Sequence, residues 1–315
     1  AEWAAVALSN PPRMSEALAA VPRPRQFYDL IQAASQYMIS GSREDADLFA
    51  TRIGPAILAC TTIADAALVR CCRTISAQMI YLACANLCRM DHGATFLHYV
   101  ENIIKNGKHC LLPPQSDIVW QNDFLGSNNN ALVTIPTSTG KTLLAELAMA
   151  KALEKPGSVC VYVAPYVALG KQVYDCVRAN APSYVNVIGS FGSFNGNSGG
   201  IDLFGRNIIV ATPERFDALL RTAAILGQLT TVVFDEAHGI ENGARGVRLE
   251  GLVARLKLQQ ETNPSLRIIL LSAVLTNGEL VRDWLGKGAV HFDHSWRPTA
   301  RRGGFWVTGG RLAWV

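Results

Sequence analysis

Residues 131–142 read ALVTIPTSTGKT, a short apolar strand, then a loop of small residues, then Lys141-Thr142 opening the helical pattern of residues 143–147. Strand, loop and helix in this order predict a phosphate cradle, because loop N–H groups and the positive helix end face the anion. Lys141 is expected to reach the β- and γ-phosphates, and the Thr142 hydroxyl to bind Mg²⁺. The signature usually begins with Gly or Ala where this chain has Ile135. The alternative is a chance Gly-Lys-Thr in a surface turn.

The composition of the 315-residue chain is apolar, with 49% hydrophobic and 17% charged residues. This length permits one to three domains, and so few charges predict large buried interfaces with parts of a longer protein or with a partner. The net charge of +4 permits nucleic-acid binding without requiring it. Eight cysteines without a secretory leader favour free thiols in a reducing compartment, so we expect an intracellular protein, cytoplasmic or nuclear. The start Ala1-Glu2-Trp3 lacks an initiator Met, which indicates an internal or trimmed beginning.

Residues 1–110 are predicted to form an N-terminal arm and an α-helical region. Four prolines interrupt residues 1–24, which are expected to hold one short helix at most. From residue 26 to residue 107 the pattern is helical almost throughout. The expected helix boundaries are an N-cap at Ser42 followed by Asp45, a break at Gly54-Pro55, and ends at Gly93 and Gly107.

Two strongly apolar segments, 55–69 and 75–88, lie within this helical region. Each is too short to cross a bilayer, so both are expected to be buried helices of a bundle, and no membrane association is predicted. Cys84, Cys88 and His92 are spaced four apart on one helical face, which leaves a metal site open. Free cysteine is a common core residue and no Cys-x₂-Cys pair is present, so the core interpretation is favoured.

After residue 111 apolar strand-like runs alternate with helical patterns. This alternation predicts an α/β fold with a mostly parallel sheet covered on both faces. The predicted strands are 131–135, 158–164, 185–188, 207–211, 230–234, 267–271 and 289–292. The Gly/Ser/Asn-rich residues 189–200 are expected to form a flexible surface loop.

A second chemical motif is the pair Asp235-Glu236, which follows the apolar run at residues 231–234. Ligands of open α/β sheets bind at the carboxyl ends of strands, where these acids would lie. Asp235 can hold Mg²⁺ through water, and Glu236 can orient or deprotonate an attacking water. A solvated turn is the alternative, but a position about 90 residues after the phosphate loop favours convergence of the two motifs on one nucleotide.

Further motifs follow in a fixed order along the chain. They are LPPQ at 112–115, PTSTGKT at 136–142, APYVAL at 164–169, VATPER at 210–215, DEAH at 235–238, Arg245-Gly246 with Glu250, LSAVLTN at 271–277, WLG at 284–286 and Arg297-Pro298. Together they resemble the superfamily-two helicases, in particular the superkiller-type DExH group, over residues 111–299. Val274 stands where that group has Thr, which affects the expected coupling of nucleotide state to strand movement.

The resemblance implies a RecA-like phosphate-loop domain at residues 111–315 and a role for each matching residue. The nucleotide-binding residues it implies are Gln115, Thr137, Ser138, Thr139, Gly140, Lys141 and Thr142. The catalytic residues are Lys141, Asp235 and Glu236, and the Mg²⁺ ligands are Thr142 and Asp235. The nucleic-acid contacts are Pro165, Tyr166, Lys171, Thr212, Pro213 and Arg215, and the coupling residues are His238, Ser272 and Ala273.

Four of these residues have plain alternatives. Thr212 with Pro213 would make an ordinary N-cap and first helical turn, Gln115 could be a surface glutamine, and His238 could be a turn histidine.

The resemblance also implies a second RecA-like domain that carries arginine fingers, in the parent chain or in a partner subunit. Nothing after Arg297-Pro298 resembles that domain. Residues 301–314, with Trp306 and Trp314, are more like a hairpin. The expected function is therefore the ATP- and Mg²⁺-binding half of a helicase motor on single-stranded nucleic acid, with DNA slightly favoured over RNA. The alternative is a nucleotide-switched protein-interaction module that does not unwind.

Overall fold

The computed structural model describes residues 24–76, 79–90, 92–121, 124–137, 139–192, 194–196, 201–202, 204–221, 223–241, 243–275, 277–286, 288–297, 304–307 and 311–314. The N-terminal arm at residues 1–23 lies outside the described residues. So do Ser138, Thr276 and Pro298 of the quoted motifs, and residues 301–303 and 308–310 of the predicted hairpin.

Helices dominate the first third of the described chain, as predicted. They are α1 (Arg25–Ser40), α2 (Arg43–Leu58), α3 (Ile63–Ser76), α4 (Met79–Leu82), a 3₁₀ helix (Cys84–Arg89) and α5 (Ala94–Lys105). The N-cap at Ser42 is confirmed, because its hydroxyl accepts a hydrogen bond from the Asp45 N–H at 3.1 Å. The helix end near Gly107 is also confirmed, since Gly107 has a φ of +88° just after α5.

Two expected boundaries in this region are wrong. Helix α2 runs through Gly54 and Pro55 to Leu58. Ala56, just after the proline, is fully buried in one cluster with Phe49, and this packing offsets the backbone hydrogen bond that proline cannot make. Gly93 does not end a helix but is the N-cap of α5.

The two apolar segments are only partly buried. Val69 is 3% exposed, but Leu58 is 89% and Ile63 is 91% exposed, because they flank the turn between α2 and α3. None of the helices in the described residues combines the length and apolarity that a bilayer crossing requires. Cys84 is 1% exposed, and burial raises the pKa of its thiol to about 12, which disfavours the thiolate that a metal would need.

The sheet lies in the remainder of the chain and has the order β4-β3-β5-β2-β6-β7-β1-β8 in the described residues. Its strands are β1 (Ala131–Thr134), β2 (Val159–Val163), β3 (Val185–Phe191), β4 (Phe194–Gly196), β5 (Arg206–Ala211), β6 (Leu229–Phe234), β7 (Arg267–Ser272) and β8 (Val290–Asp293). All seven predicted strands are present and pair in parallel, which confirms the α/β fold.

Of the Gly/Ser/Asn-rich residues 189–200, residues 193 and 197–200 lie outside the described part of the chain, and most of the others form strands and not the predicted loop. Strand β3 extends to Phe191, and β4 returns antiparallel to it. Gly192 has a φ of +57°, which glycine adopts without strain, so it permits the tight turn. Near the end of the chain, β9 (Gly304–Val307) and β10 (Arg311–Trp314) form the expected antiparallel hairpin.

Helices cover both faces of the sheet. They are α6 (Pro113–Gln121), α7 (Lys141–Ala152), α8 (Val167–Asn180), α9 (Pro213–Leu219), α10 (Ala223–Leu226), α11 (Gly243–Thr262) and α12 (Gly278–Leu285). One core cluster contains residues of α5, α6, α7 and α8, and the other contains residues of α9 to α12. Ala131 and Val133 belong to the first cluster and Leu132 to the second, as strand alternation requires. Helix α5 of the N-terminal region therefore shares a core with the phosphate-loop helix α7.

Candidate nucleotide and nucleic-acid site

The candidate site lies at the carboxyl edge of the parallel strands. The segments that follow β1, β2, β6 and β7 leave the sheet on one side, because these strands run in the same direction. They carry the phosphate loop, Pro165-Tyr166, Asp235-Glu236 and Ala273, respectively. The fold thus brings to one edge motifs that lie more than 100 residues apart in the chain.

Backbone conformation and internal hydrogen bonds define the shape of the phosphate loop. Gly140 precedes α7 with a φ of +77°, and a Cβ at this position would overlap the Gln115 amide, so only glycine fits. Thr139 is fully buried, and its hydroxyl donates a hydrogen bond to the Pro136 carbonyl. Thr137 is exposed at the rim of the loop. A hydrogen bond within the loop and the left-handed glycine therefore fix its course.

Lys141, the lysine expected to reach the phosphates, is buried in the structure. It is 8% exposed, and its Nζ donates a hydrogen bond to the Ile135 carbonyl at 3.2 Å. Burial lowers the pKa of Lys141, whereas the nearby negative charges of Glu236 and Asp235 raise it less. The Lys141 side chain thus runs back to the residue that follows β1, at the other end of the phosphate loop.

Gln115 is not a surface residue. It is 2% exposed, its Oε1 accepts a hydrogen bond from the Leu112 N–H at 2.7 Å, and its Nε2 donates to the Gly140 carbonyl at 2.8 Å. The amide thus connects the start of helix α6 to the phosphate loop.

Asp235 is also buried, so the interpretation as a solvated turn does not apply to it. It is 8% exposed, and its Oδ1 accepts a hydrogen bond from the Glu236 N–H at 2.9 Å. Its Oδ2 accepts a hydrogen bond from the Tyr162 hydroxyl at 2.6 Å. Each oxygen of the carboxylate therefore has a donor within the protein, which fixes its orientation.

Tyr162 is a site residue that the sequence motifs did not identify. Its phenol is fully buried in β2, between Asp235 and the start of α7. Burial raises the pKa of Tyr162 well above 10, the charge of Asp235 raises it further, and a polar contact from the Thr142 hydroxyl lowers it. The available signal was a polar-tipped residue within the otherwise apolar run VCVYV.

Glu236 has an unusual backbone. Its φ of +50° is the one positive value among the non-glycine residues that the structure describes, and this conformation costs about 1–3 kcal/mol when it is enforced by the surroundings. Its Oε2 lies 3.2 Å from Nδ1 of His238 but makes no well-directed hydrogen bond. Strain and an unsatisfied carboxylate oxygen at a strand end are typical of functional sites.

The donor groups suit a magnesium ion. Thr142 supplies a hydroxyl and Asp235 a carboxylate, and both side chains contact the same phenol of Tyr162. Mg²⁺ prefers such oxygen ligands, usually one or two carboxylates together with substrate phosphates and water. The residues present therefore fit a nucleotide-bound Mg²⁺.

One cavity of about 430 Å³ is lined both by residues predicted to act on the nucleotide and by residues predicted to contact nucleic acid. Its lining includes Thr137, Asp235 and Glu236 from the nucleotide side and Pro165, Tyr166 and Pro213 from the nucleic-acid side. The predicted coupling residues His238 and Ala273 line the same cavity. Ser272 is fully buried instead, and its hydroxyl donates to the Val274 carbonyl at 2.9 Å.

Four of the six predicted nucleic-acid contacts lie together on a neighbouring surface. Tyr166, Thr212 and Arg215 line a second cavity of about 380 Å³ together with Pro165. The Arg215 Nε donates to the Gly192 carbonyl at 3.1 Å, and Thr212 is 6% exposed. Lys171 is exposed on α8 and is not part of this lining.

Two features bear on the alternative that Thr212 and Pro213 form only an ordinary N-cap and first helical turn. Thr212 is at the N-cap position of α9, but its side chain does not cap the helix. Glu214 in the first turn forms an ion pair of 2.7 Å with Arg248 of α11, which the sequence motifs did not indicate.

Comparisons with known proteins agree with this geometry. Residues 115–281, just over half of the chain, match the model of the DEAD/DEAH box helicase family. An ATP-dependent DNA helicase, Hel308 of Methanocella arvoryzae, is 36% identical over 201 residues, which cover 62% of this chain and 26% of that protein. Hel308 of Pyrococcus horikoshii is 32% identical over 210 residues, which cover 66% of this chain and 28% of that protein. The chain thus spans little more than a quarter of the length of these curated relatives.

Among solved structures, a DEAD box protein from the hyperthermophile Methanococcus jannaschii aligns with a TM-score of 0.50 and 18% identity. The alignment covers 67% of this chain and 55% of that chain, and it concerns the fold alone. The region that matches the family model contains the phosphate loop, Tyr162 and both acidic residues at the edge of the sheet. On this evidence the chain belongs to the DEAD/DEAH box helicase family.

Proposed function

We propose that this chain is the ATP-binding half of a nucleic-acid-dependent helicase motor of the superkiller-type DExH group. The motor would translocate on, or unwind, nucleic acid with a single-stranded tail. One observation carries the proposal: Thr142 of the phosphate loop and Asp235 after β6 both contact the Tyr162 phenol. Lys141 is close enough to interact electrostatically with Asp235 and Glu236. This arrangement suits a nucleoside triphosphate with Mg²⁺.

Each group has a defined task in this proposal. Lys141 exchanges the Ile135 carbonyl for the β- and γ-phosphate oxygens, which are stronger, charged acceptors. Thr142 and Asp235 hold Mg²⁺, which neutralises charge on the phosphates when bound. Glu236, with a carboxylate oxygen that lacks a directed hydrogen bond, orients the attacking water and accepts its proton. Gln115, already in contact with the loop, reads the adenine base.

The nucleic-acid strand would cross the neighbouring surface through its sugar–phosphate backbone. Arg215 and Lys171 supply positive charge, and Tyr166, with Pro165, Thr212 and Pro213, shapes the path. Backbone contacts predict little sequence preference and a strong dependence on salt. We favour DNA over RNA, because the relatives that are 36% and 32% identical are called DNA helicases.

Two further elements of the proposal concern organisation. We divide the chain into an N-terminal region of residues 1–110 and a RecA-like domain of residues 111–315. The arginine finger and the second half of the strand path belong to a second RecA-like domain, in the same parent chain or in a partner subunit. Exposed apolar side chains beside the coupling residues, such as Val274 at 65% exposure, suit a domain contact.

The test is the rate of ATP hydrolysis with and without that second domain. An arginine finger typically supplies about 10³–10⁵ in rate, so the chain alone should bind ATP–Mg²⁺ but hydrolyse it very slowly. Restoring the second domain should raise turnover by orders of magnitude. Glu236→Gln should remove this gain while ATP stays bound, whereas Glu261→Gln, an exposed change on α11, should not. Brisk, nucleic-acid-stimulated hydrolysis by the 315 residues alone would refute the half-motor proposal.

A nucleotide-switched interaction module remains the alternative, and the exposed apolar residues Leu58 and Ile63 near the N-terminus favour it. Single-strand binding measured by fluorescence anisotropy separates the two functions. A motor half binds labelled oligonucleotides in a salt-sensitive way that responds to ATP. An interaction module does not. Parallel titrations with DNA and RNA of the same sequence decide between the two nucleic acids.

A further inference from the structure

Tyr162 lies in the middle of the sheet, yet its polar end is directed at the predicted magnesium site. Strand β2 is between β5 and β6, and Tyr162 pairs with Val210 on one side and Val233 on the other. The ring is fully buried. A phenylalanine would fill the same volume and would bury no hydroxyl, so packing alone does not explain the hydroxyl.

The hydroxyl connects two groups that belong to different elements. It donates to Asp235 Oδ2 at 2.6 Å and has a polar contact with the Thr142 hydroxyl at the start of α7. The second oxygen of Asp235 is held by the Glu236 N–H. Without the phenol, one oxygen of this buried carboxylate would lose its protein donor, and the link to Thr142 would be lost with it.

A second buried tyrosine in the same core provides a comparison. Tyr99 is also fully buried, and its hydroxyl donates to the Glu146 carboxylate at 3.0 Å. This pair has the same chemistry as Tyr162 with Asp235, but Glu146 is in the second turn of α7, and its carboxylate is bound by side chains of α5 and α8. Tyr99 therefore represents the purely structural role of a buried phenol–carboxylate pair.

We propose that Tyr162 is a positioning residue that holds Thr142 and Asp235 at the separation required by a nucleotide-bound Mg²⁺ ion. The inference rests on the proposed function, because it assumes that these two side chains bind the ion. Partners that orient metal ligands typically contribute about 10- to 100-fold to metal affinity. Tyr162 adds no charge and is fully buried beneath the site, so it should act on the metal-dependent part of nucleotide binding alone.

The experiment compares the affinity for fluorescently labelled ADP in Mg²⁺ and in EDTA. ADP is not hydrolysed, so the readout is independent of turnover. For Tyr162→Phe we expect the gain in affinity from Mg²⁺ to fall about 10-fold while the affinity in EDTA stays within about twofold of the wild type. Tyr99→Phe should lose thermal stability to a similar extent and keep the full Mg²⁺ gain. Asp235→Asn should reproduce the loss seen for Tyr162→Phe.

A Tyr162→Phe variant that keeps the wild-type Mg²⁺ gain would overturn the inference and leave the proposed function intact. Equal affinity of the wild-type chain for ADP in Mg²⁺ and in EDTA would overturn both the inference and the proposed function. So would a Lys141→Ala variant that binds ADP as the wild type does.

If Tyr162→Phe does not fold, the inference can be tested on the wild-type chain by NMR with ¹³C-labelled tyrosine, of which the chain has eight. The Tyr162 signal, identified by its change in Asp235→Asn, should shift when Mg²⁺ joins the ADP complex. An unmoved signal would overturn the inference.

Discussion

The buried carboxylate of Glu146 offers a direct test of how the N-terminal helices are attached to the phosphate-loop helix. It accepts hydrogen bonds from Tyr99 of α5 at 3.0 Å and from Asn180 of α8 at 2.6 Å. Lys108, just after α5, lies 3.5 Å away and is 40% exposed. Glu146 itself is fully buried, so its polar oxygens depend on these donors in place of water. We predict that removing them weakens the contact between α5 and α7 in a defined order.

The magnitudes follow from what each change leaves behind. Tyr99→Phe removes one hydrogen bond to a charged group, worth about 1.5–3 kcal/mol of the free energy of unfolding. Glu146→Leu leaves the Tyr99 hydroxyl and the Asn180 amide, both buried, without their acceptor, at about 1–3 kcal/mol each. Lys108→Met should cost no more than about 1 kcal/mol, because a partly exposed ion pair is screened by solvent. The expected order of loss is Glu146→Leu, then Tyr99→Phe, then Lys108→Met.

The assay is urea unfolding at 25 °C, monitored by circular dichroism, for the single variants and for the Tyr99→Phe/Glu146→Leu double variant. The double-mutant cycle isolates the coupling between the two residues, which we expect to be about 1–2 kcal/mol. Tyr184→Phe is the matched control, because Tyr184 is 47% exposed and its hydrogen bond to His98 faces solvent. Hydrogen exchange of the α5 amides then shows whether the loss is local to that helix.

Two results would contradict this account. A coupling energy below about 0.5 kcal/mol would mean that Tyr99 and Glu146 act independently. A Tyr99→Phe variant as stable as Tyr184→Phe would mean that the network does not attach α5 to the sheet.

Three further predictions concern the site. Gly140→Ala should lower the free energy of unfolding in urea by about 1–2 kcal/mol, because φ is +77° and the new Cβ would overlap Gln115 of α6. Gly251→Ala, at an exposed position of α11, should be neutral or stabilising. Equal effects of the two changes would contradict the left-handed conformation of the loop. Lys141→Ala should abolish ATP binding in calorimetry, and wild-type affinity would remove the basis of the proposed function. Arg215→Ala should weaken single-strand binding for all base sequences and lower the salt slope by about one unit, whereas Arg221→Ala should not; a base-specific loss would favour the interaction module.

The sequence predicted those parts of the protein that depend on local pattern. The seven parallel strands were evident because strands covered on both faces are continuous apolar runs, bounded by turn residues. The phosphate loop and the acids at 235–236 were evident for a similar reason, since each motif needs only a strand, its end and a few adjacent residues. Ser42 capped its helix as expected, because capping joins residues three apart.

The tertiary structure decided what depends on distant partners. Tyr162 is an ordinary β-strand residue in the sequence. It contacts Asp235, which is 73 residues later in the chain, only because β2 and β6 are neighbours in the sheet. Lys141 is buried near Asp235 and Glu236, almost 100 residues away in the chain. Ala56, beside Pro55, is buried in a cluster with residues of α1 and α3. The hydrogen-bond partners and the burial of a side chain are not properties of the residue itself. They arise from groups that approach only when the chain has folded, so no local pattern could encode them.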